Sequence, residues 1–557
     1  MAEQQLISLF DDEHCTKYTI LIASTLGRMK ETRDISFNAG EQQLSEKEKK
    51  EWDIFHEKYD EWAVSVVHRT GSALDPSTPK DATEVKKFRS FSEAEKGECF
   101  IKCLLLLLVS LGDYSSNSRQ LLYLVSKELH QPEEIPHKAE FITSSMLIET
   151  FKKIESNEKW YELSQSQKVR KRITMGLAGI AGGALIGVTG GLAAPLVASG
   201  LGVLFAGLGL GTMIGASYLG TLITSAPMIT TLFGGFGAKM SINQVHEISR
   251  GISDFEFIPL EASSNLSMTI GVAGWLESPQ DAADTWYPLT FGDKSYYWGD
   301  FYALKFEVQA FVDLGKVISR ILFTTSLSWV QDEVIKRTIL APLSAALWPL
   351  GLLRIGNILG NSWRVVFNLS IKAGEALANG LCMRAQGKRP VTLIGFSLGS
   401  RTIFECLLKL AERYEIGIVE NVIIMGTPAS TDPKLWKKMR SVVSGRLVNV
   451  YSKNDYVLQL VYKTNSIQTR ATGLEPIALN SSCVENVDVG DLIEGHLQYR
   501  WLLPKILKER LGYTCISDEV IQQLQLRGKS FEQSQRELLN EDAKQQEIIF
   551  DASEGSE

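Results

Sequence analysis

Three residues in the last third of the chain have the types that acyl transfer needs. Gly395-Phe396-Ser397-Leu398-Gly399 sets a serine between two glycines. The apolar run 390–396 before it reads as a strand, and "SRTIFECLLKLAERY" after it reads as a helix. A strand-to-helix reversal this tight strains its central residue and crowds its neighbours, so small flanking residues are required. It also sets the serine at a helix N-terminus, where backbone amides can stabilise a developing oxyanion. Five residues alone are a weak signal, so the rest of the chain must supply the partners.

A serine hydroxyl needs a base, and the base needs an orienting acid. Beyond His246 the chain holds a single histidine, His496, in "GDLIEGHLQYRW". It follows the last strand candidate, which is where an α/β sheet enzyme carries its base. The acid should lie between Ser397 and His496, on a loop after a strand. Asp455, at the end of "NVYSKND", satisfies this, and Asp432 in "GTPASTDPKLW" is its rival. Asp488 and Asp491 lie close to His496 in sequence and read as loop caps. A second oxyanion donor should come from the loop after an earlier strand. "GVAGW" (271–275) fits: Leu398 would supply one amide and Gly274 or Trp275 the other. No metal or organic cofactor is implied.

The elements that must position these groups read as α/β. Strand-like runs at 265–275, 301–308, 390–396, 419–430, 446–455 and 477–489 alternate with helical stretches. "TLIGF" and "VIIMG" are continuously apolar, as strands buried on both faces are, so the sheet is expected to be mostly parallel. This α/β part spans 255–515. Residues 1–165 are rich in Glu, Lys and Leu and read as all-helical, with Ser92 and Glu95 spaced as a capping box. The tract 338–353 carries no charge and reads as a buried helix or a lipid-facing flap. The tail 516–557 is Gln/Glu-rich and reads as a solvated helix, able to form a coiled coil, followed by disorder.

From Ile173 to Ala238 there is no Asp, Glu, Lys, Arg or His, and 17 of these 66 residues are glycine. A helix needs about 20 apolar residues to cross a bilayer. Gly179, Gly183, Gly187 and Gly191 share one helix face, a spacing that lets two backbones approach in lipid. "KVRKR" precedes the run, and Lys239 and Arg250 follow it. By the positive-inside rule, 168–240 reads as a membrane hairpin with both flanks cytoplasmic, making the chain a multi-pass integral membrane protein. A glycine-rich hairpin buried in protein is the alternative.

Bulk properties exclude other classes. The 557 residues are 44% hydrophobic and 22% charged, enough for a large core. A net charge of −7 speaks against nucleic acid as a partner. Seven scattered cysteines point to a reducing compartment, with Cys99 and Cys103 expected in the core. The acidic N-terminus is not a secretory signal peptide.

The ordered set "KVRKR", "GGALIGVTGGLAAPLVASGLG", "VAGWL", "ALWPLGLL", "GFSLGSR", "GTPAS" and "YSKNDYVL" resembles the transmembrane and coiled-coil domain-containing protein 4 family, over roughly residues 90–510. The resemblance implies an α/β-hydrolase-like domain, a fungal lipase-like branch, and a membrane-associated serine hydrolase. It carries Ser397 over as nucleophile, with Asp455 and His496 at matching positions. The expected substrate is a lipid ester, and the expected partners are membrane lipids, plus proteins bound through the N-terminal helices or the tail. A non-catalytic membrane scaffold that binds trafficking partners is the rival.

Overall fold

The structure is a computed structural model. It describes residues 10–38, 45–75, 82–155, 231–233, 248, 251–261, 265–290, 295–323, 350–465, 470–493 and 495–554.

Among the described residues six helices come first: α1 (Asp12–Asn38), α2 (Glu46–Ala73), α3 (Ala82–Arg89), α4 (Glu93–Val109), α5 (Ser116–Glu128) and α6 (Glu134–Glu155). Ser92 and Glu95 form the anticipated capping box at the start of α4, and Ser45 and Glu48 form a second at α2. Every residue of α4 from Cys103 to Val109 is buried, so this helix is the centre of the helical layer. Cys99 and Cys103 are part of that core.

Seven strands follow among the described residues: β1 (Phe255–Glu261), β2 (Met268–Val272), β3 (Asp300–Phe306), β4 (Val391–Phe396), β5 (Val419–Met425), β6 (Leu447–Tyr451) and β7 (Glu485–Asp488). They form one sheet in the order β1-β3-β2-β4-β5-β6-β7, parallel except for β1. Every residue of β2 and β4 is buried, as expected of strands covered on both faces by helices. The covering helices are α7 (Val308–Phe323), α8 (Leu350–Cys382), α9 (Leu398–Glu412), α10 (Pro433–Val442), α11 (Tyr456–Asn465), α12 (Gln498–Glu509) and α13 (Asp518–Glu554).

The six strands read from the sequence are present, though shorter. The last of them spans only four residues of the 477–489 run. β1 was not anticipated. It is an edge strand with Pro259 and a register shift beside it, features that blunt an edge but also erase the strand signal. The tail also differs from its reading. Ile521, Leu524 and Phe531 lie on one face of α13; the first two are buried, and Phe531 packs against Trp501 and Trp275. The first half of this helix is therefore bound to the α/β part rather than fully solvated.

Most of the charge-free run 173–238, and residues 338–349 of the apolar tract, lie outside the described residues. Within the run, Leu232 and Phe233 are buried against protein, and Arg389 stands 5.1 Å over the Phe233 ring. Among the described residues no helix is long and apolar enough to cross a membrane.

Strand order locates the crevice. From β2 the chain moves outward to β3, which lies between β2 and the edge strand β1, and from β4 it moves the other way through β5, β6 and β7. The reversal lies between β2 and β4, and ligands of open parallel sheets bind outside the C-terminal ends of strands at such a switch point. Ser397 follows β4, and the 273–275 turn follows β2.

Candidate active site

Ser397 joins β4 to α9 with φ 54° and ψ −130°. This is a conformation that costs a non-glycine residue about 1–3 kcal/mol and persists only where the surroundings impose it. Those surroundings are close backbone contacts. A Cβ on Gly399 would stand 2.6 Å from the Val272 carbonyl carbon, and one on Gly395 would stand 3.1 Å from both the Gly399 carbonyl carbon and the Ser400 nitrogen. Ser400 locks the turn to β5, its hydroxyl accepting from the Met425 amide at 3.1 Å and donating to the Met425 carbonyl at 3.2 Å.

The Ser397 Oγ lies 2.6 Å from His496 Nε2, and His496 Nδ1 lies 2.6 Å from Asp455 Oδ2. An ionised carboxylate only accepts, so Nδ1 carries the proton and donates to Asp455. Nε2 is thereby left as the acceptor for the Ser397 hydroxyl. Asp455 is held in turn by the Leu458 amide, which donates to its Oδ1 at 3.0 Å at the start of α11. All three side chains are completely buried. Trp363 of α8 and Tyr499 of α12 flank the imidazole at 6.0 and 6.2 Å between ring centroids.

The other acids read from the sequence lie elsewhere. Asp432 is the N-cap of α10 and accepts from the Lys434 amide at 2.9 Å. Asp488 accepts from the Gly490 amide at 2.8 Å, and Asp491 pairs with Arg510.

The 273–275 turn meets the serine from the β2 side. A Cβ on Gly274 would stand 2.6 Å from both the Leu398 nitrogen and Ser397 Cβ, so nothing larger fits there. Among the described residues no carbonyl accepts from the amides of Leu398, Gly274 or Trp275. The turns after β2 and β4 thus meet in close contact at Ser397.

Two residues that fix this turn gave no sequence signal. Asp281 accepts from the amides of Glu277 and Ser278, each at 2.9 Å, and Arg500 of α12 donates to Asp281 at 2.6 Å. The helix that follows His496 is therefore braced to the turn that follows β2. Burial alone would raise the Asp281 pKa, but Arg500 and the two amides outweigh it and hold it below the usual range. Neighbouring Glu277 behaves oppositely. Burial pushes it up to about 7, Arg500 opposes, and Asp281 adds to the rise.

A carboxyl whose folded pKa lies above its unfolded value binds more protons in the folded state, so stability falls as pH rises between the two. For Glu277 that window runs from 4.5 to about 7. Glu277→Gln should therefore stabilise the protein at pH 8 and change little at pH 4. Urea midpoints at the two pH values check this, and an equal shift at both would remove the assignment.

Residues 167–512 match the family described as protein of unknown function (DUF726). An uncharacterized membrane protein of Schizosaccharomyces pombe is 64% identical over all of this chain and 97% of its own length. The probable lipase MIL1 of Saccharomyces cerevisiae is 32% identical over 86% of this chain and 44% of its own length. The transmembrane and coiled-coil domain-containing protein STS1 of Oryza sativa is 34% identical over 64% of this chain and 54% of its own length. No solved structure matches the chain.

Proposed function

The chain belongs to the DUF726 family, and on that premise we propose that it is a membrane-associated serine hydrolase cleaving a lipid ester. One observation carries the reading: the buried hydrogen-bonded chain from Asp455 through His496 to a strained Ser397. Ser397 Oγ attacks the acyl carbonyl while His496 Nε2 takes its proton. The amide of Leu398, with that of Gly274 or Trp275, holds the oxyanion. His496 then protonates the leaving alcohol, and the acyl group stays on Ser397. Water, deprotonated by His496, releases the acid and restores the hydroxyl. Asp455 keeps the imidazole in the accepting tautomer and stabilises its cation.

The sheet order and the placement of serine, acid and histidine after β4, β6 and β7 fit an α/β-hydrolase fold. The lipid preference draws on the yeast relative's name, probable lipase, and on the membrane named in the fission-yeast relative. The rice relative's name accords with the transmembrane and coiled-coil resemblance. We assign the anchor to the glycine-rich 168–240 hairpin, with the helical and α/β parts on the cytoplasmic face. Alkaline carbonate extraction should leave the chain in the membrane pellet; release into the supernatant removes the anchor.

The decisive experiment is labelling with a fluorophosphonate, which phosphonylates only an activated serine. Wild-type protein should label and Ser397→Ala should not. Absent wild-type labelling, or equal labelling of the variant, favours the second reading, a scaffold that keeps the fold without turnover. Complete burial of the serine is the observation on that side, since a substrate must displace part of what covers it.

A further inference from the structure

Away from Ser397, α1, α2 and α10 come together around a narrow, partly open cleft. Its walls are of two kinds. Trp52, Phe55 and Tyr59 of α2 make an aromatic side. Lys30 and Arg33 of α1 and Lys437 and Arg440 of α10 bring four cations to it, beside His56 and Ser441.

Carboxylates account for only part of this charge. Lys30 pairs with Asp60 at 2.8 Å, and His56 lies 2.7 Å from Asp34. Glu51 is 3.9 Å from Lys438, and Glu485 is engaged by Arg446. Among the described residues no ion pair joins a carboxylate to Arg33, Lys437 or Arg440. Arg33 donates to the neutral Asn117 Oδ1 at 2.6 Å and lies over the Tyr59 ring. Arg440 is 7% exposed and donates to the carbonyls of Gly445 and Ser444, while its Nε has no hydrogen-bond partner among the described residues.

Burial lowers the pKa of both arginines. Arg440 falls to about 10, first through desolvation and then through repulsion from Arg33. A guanidinium with a carboxylate beside it is shifted upward, so these two are short of a counter-charge. A buried arginine with an unmade hydrogen bond, facing another arginine, is costly in an empty cavity and favourable around an anion.

We infer that this cleft binds a phosphate group, carried by a lipid headgroup or by a free phosphate ester. Convergence of Arg33, Lys437 and Arg440 suits a dianion with several acceptor oxygens better than a single carboxylate. Because α1 and α2 belong to the helical layer and α10 to the α/β part, the ligand would bridge the two.

The test uses the purified full chain in a neutral detergent. Thermal unfolding and titration calorimetry are run with inorganic phosphate, glycerol 3-phosphate and water-soluble dioctanoyl phosphatidic acid, with dioctanoyl phosphatidylcholine as the control. At least one phosphate monoester or inorganic phosphate should raise Tm saturably, and the phosphatidylcholine should not. Arg33→Gln and Lys437→Gln should each weaken that binding about tenfold or more, the worth of one charge-assisted hydrogen bond. Both variants should melt in one cooperative transition without ligand, as wild type does, which shows them folded. Binding of phosphatidic acid alone identifies a lipid headgroup as the source; binding of the soluble phosphates identifies a free ester. If none of the three ligands raises Tm, or if both variants bind as wild type does, the assignment is overturned.

Discussion

Ser397→Gly should abolish turnover and yet give a more stable protein than Ser397→Ala. Loss of a nucleophile that acts within a serine–histidine–acid unit costs about 10⁶-fold in kcat, and both variants lose it equally. Stability separates them. At an ordinary position glycine is about 0.5–1 kcal/mol worse than alanine, because it orders more of the unfolded chain's freedom. At φ 54° the sign should reverse. Alanine keeps the Cβ that makes this conformation cost about 1–3 kcal/mol, and glycine does not. Ser397→Gly is therefore expected to exceed Ser397→Ala by about 1 kcal/mol in denaturant unfolding. Neither variant makes the hydroxyl–imidazole bond, so that loss cancels in the comparison. If Ser397→Ala proved the more stable of the two, the turn would be unstrained, and the physical case for an activated serine would weaken with it.

Asp455→Asn should lower turnover by about 10⁴-fold while leaving the fold intact. The carboxylate accepts from His496 Nδ1 at 2.6 Å and so fixes the proton there. An asparagine amide in its place donates to Nδ1 and drives the proton to Nε2. That nitrogen then faces the Ser397 hydroxyl as a donor and cannot take its proton. The side chain keeps its shape and its buried position, so the melting transition should move far less than the rate. Hydrolysis of a short-chain ester, read beside a thermal melt, distinguishes a tautomer effect from unfolding. A loss under about tenfold would exclude Asp455 as the orienting group. Asp432 is no substitute, since its carboxylate caps α10.

The elements of the α/β part were legible because their signals are local. Continuous apolar runs marked β4 and β5, and glycines on either side of Ser397 marked the turn. His496 was legible by elimination, as the one histidine after His246. What escaped notice did so for physical reasons. In β1, Pro259 removes a backbone donor and breaks the pattern, and the strand survives because β3 pairs with it. The apolar face of α13 is sparse, and its charge and glutamine content hide the residues that meet Trp501 and Trp275. Asp281 and Arg500 carry no local signal; only at 2.6 Å across 219 residues do they become a brace. The phosphate cleft is the extreme case. Lys30 and Arg33 are separated from Lys437 and Arg440 by most of the chain, so no local pattern joins them.

The sequence by itself determined the candidate groups and the local patterns around them: a serine between glycines, a histidine and an acid following strands, an uncharged glycine-rich run. These follow from side-chain chemistry and from backbone sterics over a few residues. Only the tertiary structure decided which groups meet. Ser397 and His496 are 99 residues apart, and His496 and Asp455 are 41 apart. Their contacts exist because the strand order puts the ends of β4, β6 and β7 along one edge of one sheet. That order is set by the summed burial of all the layers, a property of the whole chain that no local pattern encodes.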